Sequence, residues 1–441
     1  MELNELLQKA LTNTGIPALN KMQEAALEVI HNHKDTLLLA PTGSGKTLAF
    51  LLPVLQRLQH GISGVQCLIL SPTRELAIQI EAVWQQMSTG FKVNTCYGGH
   101  SMKTEMNNLS QPPALLIGTP GRVLDHISRK SFGLNLITTL VLDEFDKSLS
   151  MGFQEQMGDI IKDLPSLNRR ILVSATDKLN IPEFLGFSEP HILNFTSEEE
   201  KSTDGLSVKL IISPEKDKIK TLFKLLCYSG GDPTLIFCNN RESAERTNQI
   251  LNEWSIPSAF FHGGMDQLDR EKALIKFRNG STVFLVASDL AARGLDIPEV
   301  KNVVHYHLPF KKDDFIHRNG RTARMFAEGT AYILLHADEN IPAYLEEKPE
   351  VFELPVESIM PPPAPWVTLY ISGGKKDKIS KMDIVGFLCQ KGNIKKEDLG
   401  KIELMDFMSF VAVKMDLADE VVALVQNEKM KGKKYRIGVA R

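Results

Sequence analysis

Short apolar runs alternate with longer stretches in which apolar residues return every three or four positions, from residue 36 to about residue 195. The short runs are 36–40, 65–71, 92–97, 114–118, 140–143 and 170–174, and they read as buried strands separated by amphipathic helices. Such alternation predicts parallel strands joined by crossover helices, a doubly wound α/β domain. The pattern breaks at residues 197–205 (Ser-Glu-Glu-Glu-Lys-Ser-Thr-Asp-Gly), which have no apolar content and read as a hinge linker. It restarts at Leu206 with strands at 208–212, 234–238, 258–262, 283–287, 302–305 and 330–335, a second α/β domain of similar size. A proline-rich spacer at 360–365 follows. The last 76 residues read β-α-β-β-α-β, with strands at 367–372, 401–405, 410–414 and 434–439 and helices at 381–390 and 417–426. That order predicts an α+β, ferredoxin-like module of the kind found in RNA-recognition sheets. The expected domains are 1–196, 206–348 and 366–441, in keeping with two or three domains for 441 residues.

Charge adds one feature to this picture. The net charge of −3 gives no support for bulk nucleic-acid binding, but its distribution is uneven. Residues 366–441 hold 15 Lys/Arg against 10 Asp/Glu, so a basic tail follows a mildly acidic body. A polyanionic partner for the tail is one reading, and a solvated basic face is the other. The five cysteines (Cys67, Cys96, Cys227, Cys238, Cys389) are scattered, with no Cys-x-x-Cys pair, so neither zinc nor a disulfide framework is indicated. This composition fits a reducing cytoplasm. The N-terminus shows no signal-peptide pattern, and no apolar run is long enough to span a bilayer.

Candidate chemistry lies at the strand ends. After the strand at 36–40 comes Ala40-Pro41-Thr42-Gly43-Ser44-Gly45-Lys46-Thr47, opening a helix through Leu48, Phe50, Leu51 and Leu55. Backbone N–H groups of such a turn point at a phosphate, and the helix N-terminus adds a favourable dipole. Lys46 is placed for β/γ-phosphates, and the Thr47 hydroxyl for Mg²⁺. The first glycine of the usual phosphate-loop pattern is Ala40 here; alone, the string could be an ordinary strand–turn–helix. The strand at 140–143 ends in Asp143-Glu144-Phe145-Asp146. Asp143 is the expected carboxylate on the Mg²⁺ side, and Glu144 the candidate base for the attacking water. Pro72-Thr73-Arg74, Gly98-Gly99, Thr119-Pro120-Gly121-Arg122 and Ser174-Ala175-Thr176 also follow strands. Hydroxyls, helix-start N–H groups and single arginines bind sugar–phosphate backbone without reading bases, although each string could also be a plain helix cap. In the second domain, Arg321 and Arg324 are spaced to share a face of a helical turn and could meet a γ-phosphate as arginine fingers; a surface basic turn is the alternative.

This ordered set resembles a DEAD-box ATP-dependent RNA helicase over residues 15–345. The resemblance implies two tandem RecA-like parallel-sheet domains of the P-loop NTPase class, a cleft that binds ATP, and RNA crossing both domains. It implies that Gln23 reads adenine and that residues 42–47 (Thr42, Gly43, Ser44, Gly45, Lys46, Thr47) hold phosphate and Mg²⁺. Asp143 and Glu144 serve metal and water, and Ser174 and Thr176 couple nucleotide state to RNA. Asp296 touches the ribose, and Arg321 and Arg324 complete the site. RNA-backbone contacts are implied for Arg74, Gly99, Thr119, Arg122, Asn239, Gly263, Arg270 and Ser288. Departures are Phe145 where alanine is usual, no aromatic residue before Gln23, Ser288 for threonine, and Asn319 and Ala323 for isoleucine and glycine.

The tail resembles the RNA-binding domain of the DbpA subfamily, through residues 369–379 (Leu-Tyr-Ile-Ser-Gly-Gly-Lys-Lys-Asp-Lys-Ile) and 430–434 (Met-Lys-Gly-Lys-Lys). That resemblance implies docking on a hairpin of large-subunit ribosomal RNA and a part in ribosome biogenesis. Read from the residues, the Gly373-Gly374 turn lets backbone approach a phosphate, and Lys375, Lys376 and Lys378 supply charge. Candidate stacking rings are only Tyr370, Phe407 and Phe410, and some must be core, which favours structured over single-stranded RNA. The expectation is a monomeric cytoplasmic enzyme that remodels RNA with ATP and Mg²⁺ and has no membrane partner. The rivals are an ATP-gated RNA clamp or general RNA chaperone, a small-molecule kinase, and, for the tail, a dimerisation module.

Overall fold

In this computed structural model the described residues are 3–41, 43–99, 101–175, 181–187, 189–196, 205–288, 300–322, 329–345 and 348–440. Of the residues singled out above, Thr42, Thr176, Asp296, Ala323 and Arg324 lie outside them, as does most of the expected linker.

The first unit holds seven parallel strands: β1 Asp35–Leu39, β2 Cys67–Leu70, β3 Val93–Cys96, β4 Leu115–Gly118, β5 Thr139–Leu142, β6 Arg169–Ser174 and β7 His191–Asn194. Their order is β3-β4-β2-β5-β6-β1-β7. Strand alternation divides the apolar side chains between two cores. Leu38 and Ile69 pack into one, while Leu37, Leu39, Leu68 and Leu70 pack into the other. Both faces of the sheet are therefore covered, which is why the strands read as continuous apolar runs. The hydrophobic pattern does not predict β7; its outward residues are exposed, so it lacks the apolar run that marks its neighbours.

The second unit begins with β8 Leu206–Ser213, β9 Thr234–Cys238, β10 Ser258–Phe261, β11 Phe284–Ser288, β12 Asn302–His305, β13 Gly329–His336 and β14 Glu350–Val351. Their order, β10-β11-β9-β12-β13-β8-β14, repeats the first sheet strand for strand. The same unit carries a four-stranded antiparallel sheet, from β15 Trp366–Ile371, β16 Leu399–Leu404 and β17 Ser409–Lys414 to, beyond the short hairpin β18 Lys429–Met430 and β19 Lys433–Lys434, β20 Ile437–Val439. Its order is β16-β17-β15-β20. The helices Lys381–Lys391 and Ala418–Val425 pack on Leu369, Ile371, Val411 and Val413. The fold is thus α/β in two parallel seven-stranded sheets, followed by the α+β module, as the hydrophobic pattern implies. Among the described residues, no helix is long and apolar enough to cross a membrane.

Candidate nucleotide and RNA sites

β1, β6 and β5 lie side by side, and their C-terminal ends carry the phosphate loop, Ser174 and the acidic string. In open parallel sheets ligands bind beyond the carboxyl ends of the strands. The loop after β1 turns through Gly43 and Gly45, with φ of 88° and 89°, where a side chain would be strained. Gly45 has a second constraint, because a Cβ there would lie 2.5 Å from Gln23 Nε2. Gln23 is buried and anchors this loop: Nε2 donates to the Gly45 carbonyl (3.3 Å), and Oε1 accepts the Asn20 N–H (3.0 Å). Asn20 Nδ2 in turn donates to the Ser44 carbonyl (3.0 Å). The capping box that starts the helix Lys21–Asn32 therefore also ties that helix to the phosphate loop.

Lys46 is the first residue of the helix Lys46–Arg57, and its ammonium donates to the Ala40 and Pro41 carbonyls (2.6 and 2.8 Å). Burial pulls its pKa down to about 8, against the pull of Glu144 and Asp143. Thr47 follows, half-buried. Across the site, burial and then the neighbouring Glu144 push the Asp143 carboxyl up to about 7. Asp143 Oδ1 accepts the Glu144 N–H (3.0 Å). Glu144 itself sits in the left-handed region (φ 45°, ψ 52°), a strained state for a non-glycine residue of the kind that gathers at functional sites. Its carboxylate is held by Lys147 at 2.6 Å, and both side chains are nearly buried. No motif marks Lys147; a lysine one turn after an acid is common on any helix surface, and only burial distinguishes this one. Phe145 is fully buried in the core beneath, so the ring packs behind the acids. Ser174 bonds Asp146, a side-chain link between the acidic string and the end of β6.

The arrangement supplies a cation and N–H groups for phosphate, and a buried carboxylate, Asp143, beside a second acid. Asp143 suits a divalent cation: burial first, and the Glu144 charge second, disfavour its ionised form, and a cation beside it would offset both.

The RNA candidates of the first unit lie beyond β2, β3 and β4 of the same sheet. Thr73 caps the helix Arg74–Met87, accepting from the Leu76 N–H (3.3 Å). Arg74 reaches towards Gly98, and Gly99 takes φ 97°. Thr119 precedes the helix Pro120–Ser128. Arg122 is clamped rather than extended: Nε donates to Glu105 Oε2 (2.6 Å), which also meets His126 Nε2 (2.8 Å), while Glu105 Oε1 accepts the Tyr97 N–H (3.2 Å). Burial raises the Glu105 carboxyl, but bonds from His126 and Arg122 outweigh it and hold the group below its ordinary range. Glu105 thus fastens the loops after β3 and β4 to each other, and no motif in the sequence marks it. Cys96 lies within 4.8 Å of Glu105 and His126, a spacing that could suit a metal ion. Glu105 already spends both oxygens on internal donors, and burial pushes the Cys96 thiol up to about 12, so the cluster is a hydrogen-bond network.

In the second sheet domain, Asn239 accepts from Arg318 Nη2 (3.0 Å) and donates to the Leu308 carbonyl (3.0 Å). Asn319 Oδ1 meets buried His305 Nε2 (2.8 Å), which gives the unusual asparagine a local partner. Arg270 is buried with its guanidinium 5.0 Å from the Phe261 ring centre, Ser288 ends β11, and Gly263 faces open space. Arg321 is buried just past the end of the helix Lys312–Asn319. The helix stops at Asn319 with Gly320 as its cap, and the turn expected to join Arg321 to Arg324 runs into residues outside the described ones.

In the C-terminal module, Lys375 and Lys376 form an exposed single turn. The expected role of the glycines changes. A Cβ on Gly374 would strike the Met405 carbonyl, and one on Gly373 would strike Tyr435, so both serve internal packing. The gap at Gly374 lets the 405–406 backbone accept the Lys375 and Lys376 N–H groups (both 2.8 Å). The β18–β19 hairpin is stitched to this turn by Lys431 Nζ to the Lys378 carbonyl (2.8 Å) and by Lys433 to Asp377 (2.6 Å). The result is one lysine-lined ridge. Of the candidate rings, Phe410 is fully buried and Tyr370 tilts against it, while Phe407 is 64% exposed.

Comparison with known proteins places these geometries. Residues 20–184 match the DEAD/DEAH box helicase family, 217–326 the helicase conserved C-terminal domain, and 368–439 the DbpA RNA binding domain. The ATP-dependent RNA helicase DbpA of Escherichia coli is 33% identical over 99% of this chain and 98% of its own length. Its namesake from Bacillus subtilis is 30% identical over 100% and 98%. The solved structure of S. cerevisiae Dbp5 bound to RNA and ADP BeF3 matches with a TM-score of 0.70 and 27% identity, over 80% of this chain and 95% of that one. The chain belongs to the DEAD-box helicases, enzymes with an RNA-stimulated ATPase, and among them to the ATP-dependent RNA helicases of the DbpA type.

Proposed function

We propose that this helicase remodels structured ribosomal RNA during large-subunit assembly, with the C-terminal module choosing the RNA by docking on a hairpin. The observation that carries the reading is the lysine ridge built from residues 375–378 and 429–434 on a module whose central rings are covered, Phe410 fully and Tyr370 in part. Such a surface suits phosphates arranged by RNA shape better than stacked single-stranded bases. The resemblance of this module to a DbpA RNA binding domain supports the same choice.

The proposed division of labour follows the domains 1–196, 206–348 and 366–441. Gln23 recognises adenine, and Thr42, Gly43, Ser44, Gly45, Lys46 and Thr47 cradle the phosphates. Glu144 accepts the proton of the attacking water. Arg321 and Arg324 offset charge on the transferring phosphoryl group, and Asp296 meets the ribose. Mg²⁺ would be held by Thr47 and Asp143, where it supplies charge neutralisation to the phosphates. Ser174 and Thr176 transmit nucleotide state. Arg74, Gly99, Thr119, Arg122, Asn239, Gly263, Arg270 and Ser288 grip the RNA backbone, and Lys375 and Lys376 the hairpin. The enzyme acts as a cytoplasmic monomer.

The test compares ATPase stimulation by ribosomal RNA, its isolated hairpins and unrelated RNA, for the wild type and for Lys375→Ala with Lys376→Ala. One hairpin should stimulate best, and the double variant should lose part of that preference. Its binding should also show a log–log salt slope shallower by about one unit per lost phosphate contact. Equal stimulation by all RNAs in the wild type would contradict ribosomal specificity and favour a general RNA chaperone.

A further inference from the structure

Asp143, Glu144 and Asp146 fall within four residues, and each is held by a different group. Asp143 Oδ1 accepts the Glu144 N–H (3.0 Å), Asp146 bonds Ser174, and Glu144 Oε2 accepts from the Lys147 ammonium (2.6 Å). Lys147 is the unusual holder. A lysine near a helix start ordinarily runs its stem along the surface and leaves its head in water. This side chain is 4% exposed, so its ammonium has given up that hydration. A buried ammonium is costly unless a partner answers its charge. Among the described residues, the hydrogen bond that does so goes to Glu144.

The same residue holds Glu144 at its other end. The Lys147 N–H donates to the Glu144 carbonyl (3.0 Å), as does the Ser148 N–H (3.0 Å). These bonds close the first turn of the helix Phe145–Ser150 over a residue whose backbone is left-handed. The buried Phe145 ring packs that turn against the core. Carbonyl, backbone and one carboxylate oxygen of Glu144 are all fixed, two of them by Lys147.

A carboxylate that orients a water works through the place of its oxygens. A glutamate side chain has three rotatable bonds, and anchoring one oxygen sets where the other can stand. A displacement of about 1 Å in such a group costs about 100-fold in rate. We infer that Lys147 is a positioning residue for hydrolysis: its buried ammonium fixes the Glu144 carboxylate in the orientation that receives the attacking water, and it acts on the reaction through Glu144. The inference rests on the reading of Glu144 as the base.

The experiment measures single-turnover ATP hydrolysis by the full chain with saturating RNA, beside equilibrium binding of a fluorescent ATP analogue. Lys147→Met should slow hydrolysis by about 10- to 100-fold and leave analogue binding within about twofold of wild type. Lys147→Gln, a neutral donor of similar reach, carries the same comparison should the methionine variant not fold. Lys147→Arg keeps the cation and should recover most of the rate. The decisive readout is a double-variant cycle. In a Glu144→Gln background, Lys147→Met should change the residual rate by less than about twofold, because the group it positions is already gone. A structural role would impose its full loss again in that background, and this result would overturn the inference. So would wild-type hydrolysis by folded Lys147→Met or Lys147→Gln. Slow hydrolysis by Glu144→Gln beside full activity in the Lys147 variants would refute the positioning role alone. Near-wild-type hydrolysis by Glu144→Gln would refute the base reading and the positioning role together.

Discussion

β1 and β8 hold the same place in two sheets of the same strand order, and each leads to a buried lysine at the start of a helix. The two lysines are treated differently. Among the described residues Lys46 bonds carbonyls of its own glycine-rich loop, with Asp143 and Glu144 near enough to act on its charge. Lys218 donates to the Leu334 carbonyl (3.0 Å) and to both oxygens of Glu339 (3.1 and 2.9 Å), so its charge is answered inside its own domain. The ends of β5 and β12 repeat the contrast. β5 runs into Asp143 and Glu144, whereas β12 runs into His305, Tyr306 and His307. Burial, then Arg318, pushes His305 down to about 3; burial, then Lys218, pushes His307 down to about 4. Both histidines stay neutral at physiological pH. One topology thus serves twice, once with charge left uncompensated for a polyphosphate and once with charge settled internally. The difference lies in loop chemistry, which is where function sits on a shared fold.

The largest expected effect tests that asymmetry. Lys46→Ala and Glu144→Gln should each lower RNA-stimulated kcat by about 100-fold or more, in the range for loss of a transition-state charge contact. Lys218→Met should leave kcat within about twofold once protein is scored per folded molecule, because its charge is structural. A collapse of turnover in folded Lys218→Met would erase the distinction.

Phe145→Ala restores the residue that is usual in this family and should still be damaging. The ring is fully buried, so its removal should cost about 3 kcal/mol or more of unfolding free energy, measured by denaturant titration. Stability unchanged or improved would mean that the core beneath the acids refills without it.

Acid should weaken the second sheet domain selectively. The folded-state pKa values of His305 and His307 lie below the ordinary 6.5, so their contribution is complete above that pH. It is lost as pH falls from 6.5 towards 3 to 4, because only the unfolded chain takes up protons there. Amide exchange along β9 and β12, taken relative to the intrinsic rate at each pH, should quicken over this window, and His305→Gln, which cannot titrate, should flatten the response. Equal acceleration in β1 and β5 would contradict it.

The smallest effect concerns the RNA rim of the first unit. Glu105→Gln should weaken RNA binding by about 1.5 kcal/mol, roughly tenfold, as the Arg122 clamp loses its charge. KM for ATP should not move, which separates a rim effect from general damage.

Most of this architecture can be read from the chain, for a physical reason. Strands buried on both faces leave continuous apolar runs. A glycine loop after one such strand, with carboxylates at the end of a later one, is a pairing that plain helix caps do not produce. β7, β14 and the β18–β19 hairpin escape the same reading because their residues are largely exposed or lysine-rich. Glu105 and Lys147 are single charges whose meaning comes only from burial. Ile275 and Phe410 are ordinary residues in their own segments; the buried cluster they share joins positions far apart in sequence, and no local period encodes it.

The most direct measurement of the central claim is nucleotide stoichiometry, by equilibrium titration of a fluorescent ATP analogue in the presence of RNA. One analogue per chain is expected, with binding lost in Lys46→Ala and kept in Lys218→Met. Two analogues per chain, or loss of binding in folded Lys218→Met, would show that the second sheet domain carries a phosphate site of its own and would contradict the account.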